Sequence, residues 1–239
     1  MLKNFLDSKF NSIKKLFLTY SIVTFILLGV VLLWLMGKTY ASYMEVKKLE
    51  MEYAIAEIEM GFTNMLDYAE SIMGHIGKQI GVSNGTPQEI KEILTSFSRR
   101  SSTGKDSIKD NLSIGIFSWV NDKKSVTINS EYGIIRVPYD VSNRKYLQQT
   151  INDPWVMKVC APVIGVVSGQ QIIPAGLGVE SLRNKKYLGT IVLGFTVDSL
   201  TDKLRKIINN PNLDFTILNK DGEIMLESTA GIFSEDTVF

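Results

Sequence analysis

Between Leu16 and Met36 the chain runs for 21 residues without a charge, as LFLTYSIVTFILLGVVLLWLM, with Lys14 and Lys15 before it and Lys38 after it. As a helix this run covers roughly 30 Å, the thickness of a bilayer's hydrocarbon core. A cleaved signal peptide would have an apolar region of only about 7–15 residues and end in a small-x-small site. Trp34-Leu35-Met36-Gly37-Lys38 offers no such site, so residues 16–36 are expected to form an uncleaved transmembrane helix. Lys3, Lys9, Lys14 and Lys15 precede the span, whereas Lys38, Lys47 and Lys48 are interleaved with Glu45, Glu50 and Glu52. The positive-inside rule then keeps residues 1–15 in the cytoplasm and carries the rest across. No later run is apolar for long enough to return. The expectation is a single-pass protein of the cell inner membrane with the bulk of its chain periplasmic.

Charge and scarce residues exclude several function classes. Twenty-six Lys and Arg stand against 25 Asp and Glu, a net charge of +1, which gives no basic face for nucleic acid. One His and one Cys allow neither an internal disulfide nor a zinc cluster of common spacing. No P-loop or kinase glycine loop occurs, and in residues 165–169 the Ser is fourth of five, so they are not a nucleophile elbow. Neither an enzyme, nor a metal site, nor a cofactor is expected. His75 reads as exposed or locally bonded and Cys160 as a small buried hydrophobe.

After the span the hydrophobic period becomes countable. Met51, Ile55, Ile58, Phe62, Met65, Ala69, Ile72 and Ile76 are separated by alternating steps of four and three, an a/d seam of nearly four heptads. No Pro occurs before Pro87, so residues 37–81 are expected to be one long amphipathic helix. Such a helix either packs along its own domain or pairs two copies as a homodimer, and different stretches can do each. Gly61, Gly74 and Gly77 suggest close packing or a fraying end.

Residues 82–85 break that helix, and Thr86-Pro87-Gln88-Glu89 restarts one with a capping box and Pro at N1. Residues 101–110 read as a loop. The period then shortens. A strand at 114–120 is answered across a polar turn by 125–128. A short helix is expected after Asp140 or Ser142, ending before Asp153-Pro154. Three β-rich runs follow, at 156–167, 171–179 and 186–197. A helix capped by Asp198 or Ser199 and ended by Asn209-Asn210-Pro211 leads to a last hairpin at 213–226.

Asp140-Val141-Ser142-Asn143-Arg144-Lys145-Tyr146-Leu147 resembles the D-x-S-x-R-x-Y-F/L element of the double Cache (PDC-type, PAS-like) sensor domains of bacterial membrane signal transducers such as sensor histidine kinases. Residues 161–169, APVIGVVSG, resemble that family's P-V-x-G-x-x-S-G strand and turn, and residues 189–195, GTIVLGF, its final G-x-x-x-x-G strand. The resemblance implies an α+β fold: a transmembrane helix and a long signalling-type helix, then a PAS-like antiparallel sheet with flanking helices. It places a sensor lobe at residues 82–209 and the first hairpin of an incomplete second, membrane-proximal lobe at 210–239. The chain would then be a truncated or split transducer lacking its own output domain. By the same resemblance Arg144 and Tyr146 would hold a ligand's carboxylate, a task suited to a planar guanidinium, and Trp155 would add an apolar or cation-binding wall. The family's amine-binding Asp falls at Thr196 here. A hydroxyl cannot neutralise an ammonium, so the expected ligand is a carboxylate or neutral small molecule rather than an α-amino acid. Alternatives stand beside each residue: an ion pair of Arg144 with Asp140 or Asp153, core packing for Tyr146, an ordinary strand position for Thr196. At the level of the chain the alternative is a membrane-tethered dimeric scaffold with no ligand.

Overall fold

The computed structural model describes residues 2–83, 85–100, 114–208 and 213–228. The chain divides into two compact units, Met1–Ala56 and Glu57–Phe239, and helix α1 (Leu2–Val82) contributes to both. From Ile13 to Tyr53 in the first unit the large apolar side chains are exposed on every side, as at Phe17, Phe25 and Leu33. The hydroxyls of Thr19, Thr24 and Thr39 are satisfied within the helix by the carbonyls four residues back. Lys38 Nζ stands 4.9 Å from the Trp34 ring. This is a helix long and apolar enough to cross a membrane.

The second unit is built on a seven-stranded antiparallel sheet of order β3-β2-β1-β7-β6-β4, with β5 also pairing β6. Its strands are β1 (Ile114–Asn121), β2 (Ser125–Asn129), β3 (Gly133–Asp140), β4 (Lys158–Val159), β5 (Val163–Ile164), β6 (Gln171–Glu180) and β7 (Tyr187–Thr196). The two longest, β6 and β7, pair from Ile172↔Thr196 to Glu180↔Tyr187. Strict alternation along them divides the sheet into two faces. Ile173, Ala175, Leu177, Val179, Ile191, Leu193 and Phe195 turn one way and are buried. Helix α1 lies on this face: a Cβ on Gly77 would stand 3.3 Å from Val179 and 3.5 Å from Leu177. Helix α2 (Pro87–Arg100) packs beside it, with His75 and Phe97 edge-to-face at 5.7 Å. The opposite face carries Gly176, Gly178 and Thr190, against which α3 (Lys145–Asn152) sits. Helix α4 (Val197–Ile208) follows β7 and packs its Leu204 and Ile207 near Gly61 of α1. A separate hairpin joins β8 (Thr216–Leu218) and β9 (Ile224–Glu227).

Several expectations hold at residue level. The capping box forms reciprocally: Thr86 N–H donates to Glu89 Oε2 at 3.2 Å and Glu89 N–H to Thr86 Oγ1 at 3.3 Å. The expected loop at 101–110 and the helix stop at 209–211 lie outside the described residues. Four readings are corrected. Residues 156–167 form two two-residue strands instead of one long strand, because Pro162 has no amide for the ladder. Strand β3, unanticipated, is an edge strand, where Pro138 and a largely exposed row of side chains are tolerated. Helix α4 begins at Val197, so Asp198 lies in its first turn rather than at its cap. The regular seam does not hold throughout. Met51 and Ile55 are 55% and 59% exposed, and the buried stripe of the second unit runs through Ile58, Met65, Ala69, Met73, Ile76 and Ile80. That stripe follows the period of a straight helix packed on a sheet rather than the tighter heptad.

Candidate functional site

The element that opens α3 fixes the site. Asp140 Oδ1 accepts the Ser142 N–H at 2.9 Å and Arg144 N–H donates to the Val141 carbonyl at 3.0 Å, folding residues 140–144 into a tight turn. Arg144 is the N-cap of α3, with extended backbone and no side-chain cap. Its guanidinium Nη2 donates to the Ile164 carbonyl at 3.0 Å, which ties α3 to the end of β5. Neither alternative ion pair forms: Asp140 caps the turn and Asp153 binds Lys158 at 2.5 Å. The guanidinium therefore keeps four of its five N–H groups.

Arg144, Tyr146 and Thr196 line one cavity of about 180 Å³. Its floor is the α3-side face of the sheet, with Ser118 from β1, Asn129 from β2, Ile172 and Pro174 from β6, and Val192, Gly194 and Thr196 from β7. Its outer wall is residues 163–168, the segment matching the P-V-x-G-x-x-S-G pattern. That wall is held by two backbone bonds, Gly165 N–H to the Gln170 carbonyl and Gly169 N–H to the Gly165 carbonyl, both 2.8 Å. Gly169 has φ +69°, the left-handed conformation that a glycine accepts without strain.

The electrostatics are one-sided. Among the described lining residues Arg144 is the only charged group, and no carboxylate faces it. The positive end of the α3 dipole adds to it. Burial pushes the Tyr146 phenol up to about 12 against the opposing pull of the Arg144 guanidinium, so the hydroxyl stays protonated as a donor. Neither Tyr146 nor Thr196 makes a side-chain hydrogen bond among the described residues, whereas Asn129 donates to Ser118 Oγ and accepts from the amides of Glu131 and Tyr132. The cavity thus presents a cation and two unengaged hydroxyls amid Val126, Val141, Val163, Val166 and Val167.

Trp155 is not among the lining residues. Its backbone turns left-handed, with φ +67°, and its N–H donates to the Gly178 carbonyl at 3.0 Å. This turn carries the ring around the sheet edge to α1, where Cβ positions at Gly77 and Gly81 would lie 3.2 and 3.4 Å from it. The floor residues Ser118 and Asn129 were not anticipated; the alternation of β1 and β2 offered a weak signal for them. Below α3, buried Thr150 and Thr190 share a hydroxyl hydrogen bond of 2.9 Å, and the Tyr187 hydroxyl bonds Thr190 at 2.6 Å.

No protein-family model and no curated protein matches the sequence. Solved structures do. The ligand-binding domain of the Pseudomonas fluorescens chemoreceptor CtaA, in complex with L-serine, matches with a TM-score of 0.54 and 12% identity over 71% of this chain. That of the Campylobacter jejuni chemoreceptor Tlp3, in complex with 4-methylisoleucine, matches at 0.52 and 11%, over 78% of this chain and 74% of that one. The sensor domain of the Vibrio cholerae histidine kinase DctB matches at 0.54 and 12%, over 75% of this chain. The chain spans 66%, just under two thirds, of the CtaA and DctB domains. Identities this low bear on the fold alone, and the fold is that of the ligand-binding sensor domains of chemoreceptors and of the DctB kinase, the Cache type that the sequence motifs resemble.

Proposed function

We propose that the chain is a membrane-anchored sensor module of a bacterial signal-transduction receptor, binding a small molecule in the cavity between α3, the 163–168 wall and β7. The observation that carries this reading is the meeting of Arg144, Tyr146 and Thr196 in one cavity. Arg144 would take a carboxylate through its unused N–H groups, Tyr146 would donate a second hydrogen bond, and Thr196 would face the ligand from the end of β7. The matched chemoreceptor domains were solved with amino acids, including L-serine. Here Thr196 supplies no charge to balance an ammonium.

Residues 16–36 would span the inner membrane with residues 1–15 cytoplasmic, leaving the sensor lobe in the periplasm. The exposed Met51 and Ile55 supply the surface through which two copies would pair along α1. Ligand binding would act by favouring one of two helix arrangements, for which shifts of about 1–2 Å suffice.

The test is thermal unfolding of the full chain in lipid nanodiscs with a panel of small carboxylic acids. A binding acid at about 100 times its Kd stabilises the wild type by about 2.7 kcal/mol, and Arg144→Ala loses that shift while still unfolding cooperatively, from an unliganded midpoint lowered only by loss of the bond to the Ile164 carbonyl. Equal shifts in both proteins would refute the site. Efficient cross-linking through cysteines placed at Met51 or Ile55, with no acid producing a shift, would favour the ligand-free scaffold.

A further inference from the structure

The charge, size and lining of the cavity define a narrower ligand class than a small molecule in general. Arg144 is the only charged group among its described lining residues, and it already gives one N–H to the Ile164 carbonyl. A single carboxylate on Arg144 closes a neutral pair. An ammonium elsewhere on the ligand would be desolvated with no counter-charge, since no described lining residue is acidic. A second carboxylate would likewise lack a cation: Lys145 pairs with Glu223 at 3.3 Å and is not part of the lining.

Size sets the other bound. An apolar cavity of about 150 Å³ holds benzene, six carbon atoms. The present cavity of about 180 Å³ therefore takes about seven non-hydrogen atoms on the same scale. Beyond the Arg144 end Val126, Val163, Val166, Ile172, Pro174 and Val192 offer an alkyl chain an apolar wall, and the polar residues beside them, Ser118, Asn129, Ser168, Gln170 and Thr196, are all uncharged.

We infer that the cavity selects a short aliphatic monocarboxylate of four or five carbons without an ammonium group. The inference rests on the binding site proposed above and narrows it. The unengaged Tyr146 hydroxyl would take the second carboxylate oxygen, and the chain would run along the valine wall toward Thr196.

Three four-carbon acids separate the possibilities: butyrate, L-2-aminobutyrate, which adds an ammonium, and succinate, which adds a carboxylate. Calorimetric titration of the full chain in nanodiscs is expected to show butyrate binding at least about tenfold tighter than either. In Thr196→Asp, butyrate weakens and L-2-aminobutyrate gains. Equal or tighter binding of L-2-aminobutyrate or succinate by the wild type, or no binding of butyrate, overturns the inferred class. Arg144→Ala tells the two levels apart. If the favoured acid is not butyrate but its binding is lost in Arg144→Ala, the class fails and the site stands. If Arg144→Ala binds every acid as the wild type does, the site itself fails.

Discussion

The two faces of the sheet are made by alternate residues of the same strands, yet one is filled and the other is not. On the α1 face Leu177, Leu193 and Phe195 are fully buried, and Leu177 lies against Gly77 of the long helix. On the α3 face the same strands carry Gly176, Gly178 and Gly194 at the intervening positions. The first two let α3 settle directly on the backbone, and beyond the start of α3 the layer is unfilled, which is the cavity. Close packing and an open cavity are thus assigned to opposite sides of one pair of strands.

Neighbouring residues of β7 provide the sharpest test. Leu193 is 0% exposed on the α1 face, and Val192 is 6% exposed on the cavity face. Leu193→Ala should cost about 2–5 kcal/mol, the range for emptying a rigid core position. Val192→Ala should cost only about 1 kcal/mol, because the removed methyls already border open space, but it should weaken binding of a carboxylate ligand. Denaturant unfolding of the two variants in the same detergent measures both. Equal losses would mean that the two faces are packed alike.

Glycine substitutions probe the same contrast more gently. A Cβ on Gly178 would run into the Thr150 carbonyl, a backbone atom that moves only if α3 lifts. Gly178→Ala should therefore cost about 1–3 kcal/mol and also loosen the ligand, since Arg144 and Tyr146 ride on α3. Gly74 on α1 has nothing within 4 Å, so Gly74→Ala should stabilise by about 0.5–1 kcal/mol through helix propensity alone. If both substitutions moved the unfolding midpoint the same way, the close approach of α3 would be disproved.

How much of this could be read beforehand follows from the range of the interactions. The long apolar helix, the capping box at Thr86, the turn at Asp140 and the β6–β7 strands are specified by neighbours in sequence, and they were legible. Arg144 and Tyr146 were legible through a local motif, and Thr196 through its place in the last strand. Trp155 was not, because its side is decided by a left-handed backbone and a bond to Gly178, which is remote in sequence. The buried stripe of α1 was misjudged for a similar reason. A heptad count finds a surface that wants burial, whereas the sheet chose which of its residues it covers. Strand β3 was missed because an edge strand with Pro138 and exposed side chains lacks the pattern that alternation supplies.

At neutral pH the smallest effect concerns Tyr146, which sits at the boundary of the two regimes: its ring packs near Gly176 and the residue lines the cavity. Burial raises its folded pKa to about 12, above the ordinary value of about 10. A phenol whose folded pKa is raised contributes stability that is fully present below pH 10 and is lost as the pH climbs toward 12, because the unfolded chain releases its proton first. By pH 11 the loss amounts to about 1.4 kcal/mol. Tyr146→Phe removes this dependence, so the stability difference between wild type and variant should shift by about that amount between pH 9 and 11. Near neutral pH the substitution should leave stability almost unchanged, since the hydroxyl has no partner among the described residues, while weakening a carboxylate ligand. Unfolding curves at the two pH values, with phenolate absorbance followed in parallel, measure the shift. Parallel pH profiles for the two proteins would place the hydroxyl in open water rather than at the roof of the cavity.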